Sequence, residues 1–222
     1  MRRLLADVGR DGAFLSINHA WVGDDEWCAG CAWMDRDVDT LGEVTGIEVL
    51  NGSTPTPDGD PPGWRLWAEF LNRGAHIVAV GGSDVHDPGG GTIGRPATVV
   101  RASALSEDAI VAGLRSGRVF VRAFPNLAAF VDLAAFDGQM SVTMGQTMAA
   151  GRLTLTAHLT GSAGQRCLWI RRGVVVQSDS ISGDDRLLTL SVEAVRGDWF
   201  SIIVNDDRHR WRLISNAVYV RD

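Results

Sequence analysis

Three residues with metal-ligating side chains follow two apolar runs of the sequence. His19 comes just after residues 13–17, and Asp84 and His86 come shortly after residues 76–80. If both runs are strands of a parallel sheet, their carboxyl ends meet at one edge, so we expect these side chains to share a site. Imidazole and carboxylate ligands together suit Zn, Mn or Fe. The sequence therefore predicts a divalent metal site with His19, Asp84 and His86 as ligands.

The same three residues also have a purely structural interpretation. Asp-x-His is a short pattern, which limits its specificity as a motif. In the alternative interpretation, Asp84 caps a turn and both histidines are loop residues at the surface. The spacing alone leaves both interpretations open.

The first 124 residues are typical of strands that alternate with helices. Residues 13–17, 46–50 and 76–80 are short, nearly continuous apolar runs. Such runs indicate strands that are buried on both faces, as in parallel sheets. Residues 118–121 continue this series as a further strand. We therefore expect an α/β arrangement in this half of the chain.

Two helices are predicted between these strands. The first covers about 61–73, with Asp60 as the N-cap and Gly74 at the exit. The second covers about 106–116, with Ser106 as the N-cap. Apolar residues of the first helix recur at helical spacing and are expected to face the core. They are Trp64, Trp67, Ala68 and Leu71.

After about residue 125 the apolar pattern changes its period to two. Apolar and polar residues alternate in 153–160 and again in 188–194, which is typical of half-buried antiparallel strands. About seven such strands between 127 and 220 predict a small β-sandwich. We therefore expect two domains, an α/β domain over 1–124 and an antiparallel β-sandwich over 125–222.

Composition excludes several classes of partner. The net charge of −6 argues against general nucleic-acid binding, which needs Lys and Arg to neutralise phosphates. No apolar run approaches the roughly 18 residues that suggest a membrane span. Three cysteines provide no basis for a disulfide framework and fit a reducing, cytoplasmic compartment. Cys28 and Cys31 have no second cysteine pair, which favours free thiols or loop packing over zinc.

Several longer motifs resemble those of the PHP (polymerase and histidinol phosphatase) metal-dependent hydrolases. They are INHA at 17–20, IEVLNG at 47–52, WRLWAEFLNRG at 64–74, VAVGGSDVHDP at 80–88, IGRPATVV at 93–100 and LSEDAIVAGLRSGRVFV at 105–121. The ending LISNAVYV at 213–220 resembles the carbaryl-hydrolase-like branch, which carries a β-rich C-terminal domain. The resemblance covers nearly the whole chain.

This resemblance implies a fold, a reaction and roles for particular residues. The family fold is a distorted seven-stranded β/α barrel that holds up to three metals, whose bound hydroxide attacks a phosphate ester or related ester. His19, Asp84 and His86 would be metal ligands. Glu48, Asn51 and Ser83 would lie beside the metals and orient ligands or substrate. In the alternative interpretation, the Glu48 carboxylate and the Asn51 amide satisfy loop backbone groups.

The chain departs from the family at its beginning, because the family's early His-x-His motif is absent. His19 matches a late family motif, with Ala20 in place of proline. We therefore expect the C-terminal part of a PHP hydrolase: a partial β/α barrel of about four strands, followed by the β-sandwich. Its metal site would be incomplete as this chain. An open barrel exposes apolar faces, so we expect self-association through the α/β half.

A second hypothesis belongs to a different class of function. The chain would be a non-catalytic PHP remnant whose β-sandwich binds a partner or a carbohydrate. Bound metal together with ester hydrolysis would distinguish the first hypothesis from the second.

Overall fold

The computed structural model describes residues 7, 12–20, 44–52, 60–87, 89, 93–124, 126 and 128–221. The elements of its first half are β1 (Ser16–Ile17), β2 (Gly46–Asn51), α1 (Pro62–Asn72), β3 (Val78–Gly82), β4 (Ala97–Val100), α2 (Glu107–Arg115) and β5 (Val119–Arg122). Ten strands follow: β6 (Phe130–Phe136), β7 (Ser141–Thr143), β8 (Thr147–Ala149), β9 (Gly151–Thr160), β10 (Arg166–Arg171), β11 (Val174–Ser180), β12 (Asp185–Ala194), β13 (Trp199–Asn205), β14 (Trp211–Ser215) and β15 (Val218–Arg221).

A three-stranded parallel sheet forms from the apolar runs of the first half. Its strand order is β1-β2-β3, and Ile47 of β2 lies opposite Ile17 on one side and Ala79 on the other. Every residue of β2 is buried, as expected for the central strand of a covered parallel sheet. The carboxyl ends of all three strands therefore meet at one edge.

The predicted partial β/α barrel is wrong, because β4 and β5 do not extend the parallel sheet. They pair antiparallel with each other, and β5 pairs antiparallel with β14. Both strands thus belong to a mixed eight-stranded sheet with the path β11-β10-β13-β14-β5-β4, to which β15 and β8 are attached. A buried apolar strand has the same sequence pattern whether its neighbours are parallel or antiparallel. The run at 118–121 therefore did not indicate whether this strand pairs parallel or antiparallel with its neighbours.

Two side chains occupy the edge of β3 where a further parallel strand would lie. Asn216 accepts a hydrogen bond from Ala79 N (2.8 Å) and donates to Ala79 O (3.0 Å). The Thr98 hydroxyl likewise accepts from Gly81 N and donates to Gly81 O, both at 2.9 Å. Asn216 also donates to Val119 O of β5 at 2.9 Å. These side chains therefore join the parallel sheet to the mixed sheet in place of backbone pairing.

The second half packs the mixed sheet against a four-stranded antiparallel sheet of order β12-β9-β6-β7. Leu133 and Leu155 of the smaller sheet share one apolar core with Trp169, Ile202 and Leu213 of the larger one. The alternating pattern at 153–160 and 188–194 correctly predicts an antiparallel pair, since β9 and β12 pair along their full ten-residue lengths. The division at residue 124 stays a prediction, and the β5–β14 pairing crosses it.

Tryptophan side chains attach α1 to the larger sheet. Trp64 packs edge-on against Trp211, and Trp67 packs edge-on against Trp199, with ring centroids 5.3 Å apart in each pair. The Trp199 indole N–H donates to Asn72 Oδ1 at the end of the helix (2.9 Å). The predicted apolar stripe of this helix therefore faces the core, and edge-to-face ring pairs add to its burial.

The ends of the two helices follow the sequence predictions in part. Ser106 caps α2 as predicted, because its hydroxyl accepts from Ala109 N at 3.3 Å. The predicted Asp60 cap of α1 is wrong. Pro61 occupies the N-cap position, without a side-chain cap, and Pro62 begins the helix, where a missing N–H costs nothing. Gly74 follows the helix with a φ of 92°.

The strands predicted to be exposed are covered. Ile17 is 7% exposed, and Ile47 and Ala79 are fully buried. The expected self-association through this half therefore lacks its physical basis in the described ranges and stays a prediction. Within those same ranges, no helix is long and apolar enough to cross a bilayer.

The bridging role of Asn216 predicts a large loss of stability on its conservative replacement. Asn216→Asp removes both donated hydrogen bonds and sets a carboxylate oxygen against two buried carbonyls. The free energy of unfolding should fall by about 3 kcal/mol or more, measured by urea unfolding. The exposed Asn126 gives a matched control, because Asn126→Asp should cost about 0.5 kcal/mol. Equal losses in the two variants would contradict the bridging role.

Candidate functional site

The predicted site residues lie at the carboxyl edge of the parallel sheet. His19 follows β1, Glu48 and Asn51 belong to β2, and Ser83 and Asp84 follow β3. In parallel α/β sheets this edge is where ligands bind, because the strand ends converge while their loops diverge. We call this region the carboxyl-edge site.

Glu48 is the most buried charged group of the carboxyl-edge site, at 4% exposure. Its Oε2 accepts a hydrogen bond from the backbone N–H of His19 at 2.8 Å, and the Asn51 amide lies 3.3 Å from the same oxygen. Burial raises the pKa of Glu48, whereas the hydrogen bonds from His19 and Asn51 oppose that rise, and the nearby Asp84 adds to it. The carboxylate thus connects the loops after β1 and β3 electrostatically.

Two glycines allow the loops after β2 and β3 to approach closely. Gly52 N donates to Gly82 O at 3.0 Å. A Cβ at Gly52 would lie 2.1 Å from the Ser83 carbonyl oxygen, and one at Gly82 would lie 3.1 Å from Glu48 Oε1. Larger residues would therefore separate the strands whose ends form the site. Ser83, one of the predicted site residues, thus places its backbone carbonyl close to Gly52 at the site.

Asp84 and His86 form a direct pair, with His86 Nε2 3.0 Å from Asp84 Oδ1. The His86 side chain is 87% exposed and that of Asp84 is 33% exposed. Both His19 and Asp84 have positive φ, 36° and 50°. Such backbone conformations are costly for residues other than glycine and are concentrated at functional sites. This observation supports a functional role for the edge.

The donor types at the edge suit a divalent cation, but there are too few of them to complete its coordination. Asp84 and His86 supply two donors on one side, whereas protein zinc sites have at least three protein ligands. Across the described part of the chain, no three His, Cys, Asp or Glu side chains are grouped so that they could hold a metal ion. Asp84 and His86 are therefore at most part of a metal site.

A cluster of arginines around Phe124 borders the site, and the sequence interpretation missed it. The guanidinium carbons of Arg212, Arg95 and Arg210 lie 4.0, 4.4 and 5.8 Å from the centroid of the Phe124 ring. Arg95 and Phe124 line a small cavity of about 140 Å³ together with Asn51. The available signal was the Arg-rich segment 208–212 and the Arg in the motif at 93–100.

Asp206 holds two arginines of this cluster in place, Arg210 from the β13–β14 turn and Arg212 from the start of β14. Its carboxylate accepts from Arg210 Nε at 2.9 Å and lies 3.7 Å from Arg212 Nη1. Burial acts to raise the pKa of Asp206, but hydrogen bonds from the Arg210 backbone and side chain and from the Arg208 backbone outweigh it, so the pKa is lowered. Asp206 therefore stays ionised and orients the cationic groups beside Phe124.

Comparison with known proteins gives no match, neither to a protein-family profile nor to a curated protein. The PHP resemblance therefore stays a proposal. Cys28 and Cys31, for which free thiols or loop packing were predicted, lie outside the described residues.

The raised pKa of Glu48 predicts a characteristic dependence of stability on pH. Between the usual Glu value of 4.5 and the raised value, the folded state holds more protons than the unfolded state. The free energy of unfolding should therefore fall as the pH rises through this window. Glu48→Gln should remove that fall, which urea unfolding from pH 4 to 8 would measure.

The exposed Glu69, which pairs with Arg73 on α1, provides the control for this experiment. Glu69→Gln should keep the pH dependence of the parent chain. A pH-independent difference between the parent and the Glu48→Gln variant would contradict the assigned environment of Glu48.

Proposed function

We propose that the chain is part of a PHP-type metal-dependent phosphoesterase or related esterase. The described residues would supply only part of its site for Zn, Mn or Fe. The observation that supports this proposal most directly is the meeting of His19, Glu48 and Asp84 at the carboxyl ends of three neighbouring parallel strands. The motif resemblance is independent of that geometry and points to the same residues.

Each residue of the site has a role that its contacts support. Asp84 and His86 offer an oxygen and a nitrogen donor to a cation. Glu48 holds the His19 backbone and thereby the loop that carries the His19 ring. The Asn51 amide lies against the Glu48 carboxylate within β2, and the backbone hydrogen bond from Gly52 to Gly82 keeps the ends of β2 and β3 together. These are positioning roles, in which the protein supports groups that touch the substrate or the ion.

The arginine cluster beside Asn51 supports an anionic ester as the substrate. Guanidinium groups form paired, charge-assisted hydrogen bonds with phosphate and carboxylate oxygens. Arg95 and Arg212 lie against the Phe124 ring, next to the cavity that reaches Asn51. A phosphate ester bound there would have its charged group close to the carboxyl-edge site.

Metal titration of paired histidine variants tests the proposed function. The chain should bind Mn²⁺ or Zn²⁺ in calorimetry, and His86→Gln should weaken that binding by at least about tenfold through loss of a donor. His158 forms an equivalent pair with Asp185 on the sandwich, with Nε2 2.8 Å from Oδ1, so His158→Gln is a matched control. Hydrolysis of an aryl phosphate should require the same metal.

Two results would count against this function. In the first, the parent chain binds neither ion; in the second, His86→Gln and His158→Gln weaken binding equally. Either result would show that the Asp84–His86 pair is a surface ion pair without a role in binding a cation.

One observation favours the second candidate function, a non-catalytic protein that binds a partner through its sandwich. Val174, Val175 and Val176 are 64, 51 and 47% exposed on β11, an edge strand of the larger sheet. An exposed apolar edge is a template for pairing with another chain. Phe136 is the one aromatic residue among the large exposed apolar residues described, which favours a protein partner over a carbohydrate. Absence of metal binding would support this candidate.

A further inference from the structure

The cavity beside Asn51, which we call the edge cavity, is too small for a whole ligand. Its volume is about 140 Å³, whereas small-molecule sites in proteins usually measure about 300–1,000 Å³. The residues that line it come from the end of β2, from the segment before β4 and from the end of β5 onward. They are Leu50, Asn51, Gly52, Arg95, Pro96, Ala123 and Phe124. A cavity of this size holds one chemical group of a ligand, and the rest of the ligand must lie outside it.

Arg95 brings a positive charge to the edge cavity. Its residue is exposed, and its guanidinium carbon lies 4.4 Å from the centroid of the Phe124 ring. Within the described part of the chain, no carboxylate forms an ion pair with it. A guanidinium that packs on a ring face keeps its in-plane N–H groups able to donate. Arg95 can therefore form paired, charge-assisted hydrogen bonds with an anionic group.

The other two arginines of the cluster are less able to bind a ligand, because Asp206 already holds them. Arg210 Nε donates to Asp206 Oδ2 at 2.9 Å, and Arg212 Nη1 lies 3.7 Å from the same oxygen. An anion at either group would compete with an internal ion pair. Of the three, Arg95 is the one that lines the edge cavity. The geometry therefore assigns the anion to Arg95.

The remaining lining connects the edge cavity to the carboxyl-edge site. Asn51 belongs to both, and its Nδ2 lies 3.3 Å from Glu48 Oε2. The other side chains that line the cavity near Arg95 are largely apolar, since Leu50 and Ala123 are buried there. In such surroundings the local dielectric is low, so a hydrogen bond to a charged group is stronger than in water. A charged group in the edge cavity would thus lie beside the proposed reaction site.

We propose that the edge cavity binds the terminal phosphate group of a phosphate monoester, with Arg95 as its binding residue. A terminal phosphate has one organic substituent, which can extend out of the cavity. The phosphate of a diester has two substituents, and a cavity made for one group has no room for the second. The identification of the bound monoester as the substrate rests on the proposed function, whereas its binding needs no metal.

NMR titration of the full chain with methyl phosphate and with dimethyl phosphate tests the proposal. The backbone amide signal of Gly52 would report binding at the edge cavity, and no metal would be added. At pH 5, below the second pKa of about 6 of phosphate monoesters, both probes carry about one negative charge, so that they differ mainly in the second methyl group. Methyl phosphate should bind at least about tenfold more tightly than dimethyl phosphate.

Substitutions at Arg95 assign the binding to its guanidinium. Arg95→Gln should weaken methyl phosphate binding by about tenfold, and Arg95→Lys, which keeps the charge but loses the planar fork, should fall between this variant and the parent. Arg152 is an exposed arginine paired with Glu193 on the sandwich, so Arg152→Gln gives the control and should bind like the parent. A merely structural role for Arg95 would lower the melting temperature without this order of affinities.

Three outcomes would overturn the proposal. In the first, methyl phosphate does not shift the Gly52 signal at concentrations up to about 10 mM. In the second, dimethyl phosphate binds as tightly as methyl phosphate. In the third, Arg95→Gln binds methyl phosphate like the parent.

The proposed function and this inference can fail separately. If the chain binds no metal but binds methyl phosphate through Arg95, the hydrolase proposal fails and the phosphate site stands. If it binds metal through His86 but does not bind methyl phosphate, only the inference about the edge cavity is wrong.

Discussion

The outer edge of β3 is the constraint on which the arrangement of the sheets depends. Its backbone groups at Ala79 and Gly81 must be satisfied in the interior, and the side chains of Asn216 and Thr98 do this with hydrogen bonds of 2.8–3.0 Å. Side chains satisfy an edge without extending it, so the parallel sheet ends at three strands. The strands that follow, β4 and β5, can then pair antiparallel and join β14. Loss of either side chain would leave buried backbone groups without partners, which is costly in a low-dielectric interior.

The same constraint positions the carboxyl-edge site. Once β3 is fixed, its parallel register with β2 places the loop at 83–86 beside the end of β2. Gly52 and Gly82 allow that loop to lie close to Glu48. The Glu48 carboxylate therefore interacts electrostatically with both His19 and Asp84. A buried carboxylate and two positive-φ residues at one sheet edge all cost stability. Their coincidence at the place where parallel sheets bind ligands supports a functional origin over a structural one.

Local signals in the sequence predicted the elements better than their partners. The Ser106 cap and the alternating pattern of β9 and β12 are properties of neighbouring residues, and both predictions agree with the structure. The direction of β5 depends on β14, about ninety residues later, and apolar periodicity contains no information about it. A polar residue inside the apolar ending at 213–220 was the one available sign of the Asn216 bridge. The cluster around Phe124 combines three separate segments, so local patterns show its arginines but not that they meet at one ring.

Local charge, more than net charge, determines what an acidic chain such as this can bind. The chain carries −6 overall, yet arginines lie against the Phe124 ring beside the cavity that reaches Asn51. The guanidinium carbons of Arg95 and Arg212 lie 4.4 and 4.0 Å from the centroid of that ring. A guanidinium that packs on a ring face is held in place while its in-plane N–H groups remain able to donate. Net charge therefore disfavours an extended polyanion such as nucleic acid, but it does not disfavour a single carboxylate or phosphate group held by a few fixed donors.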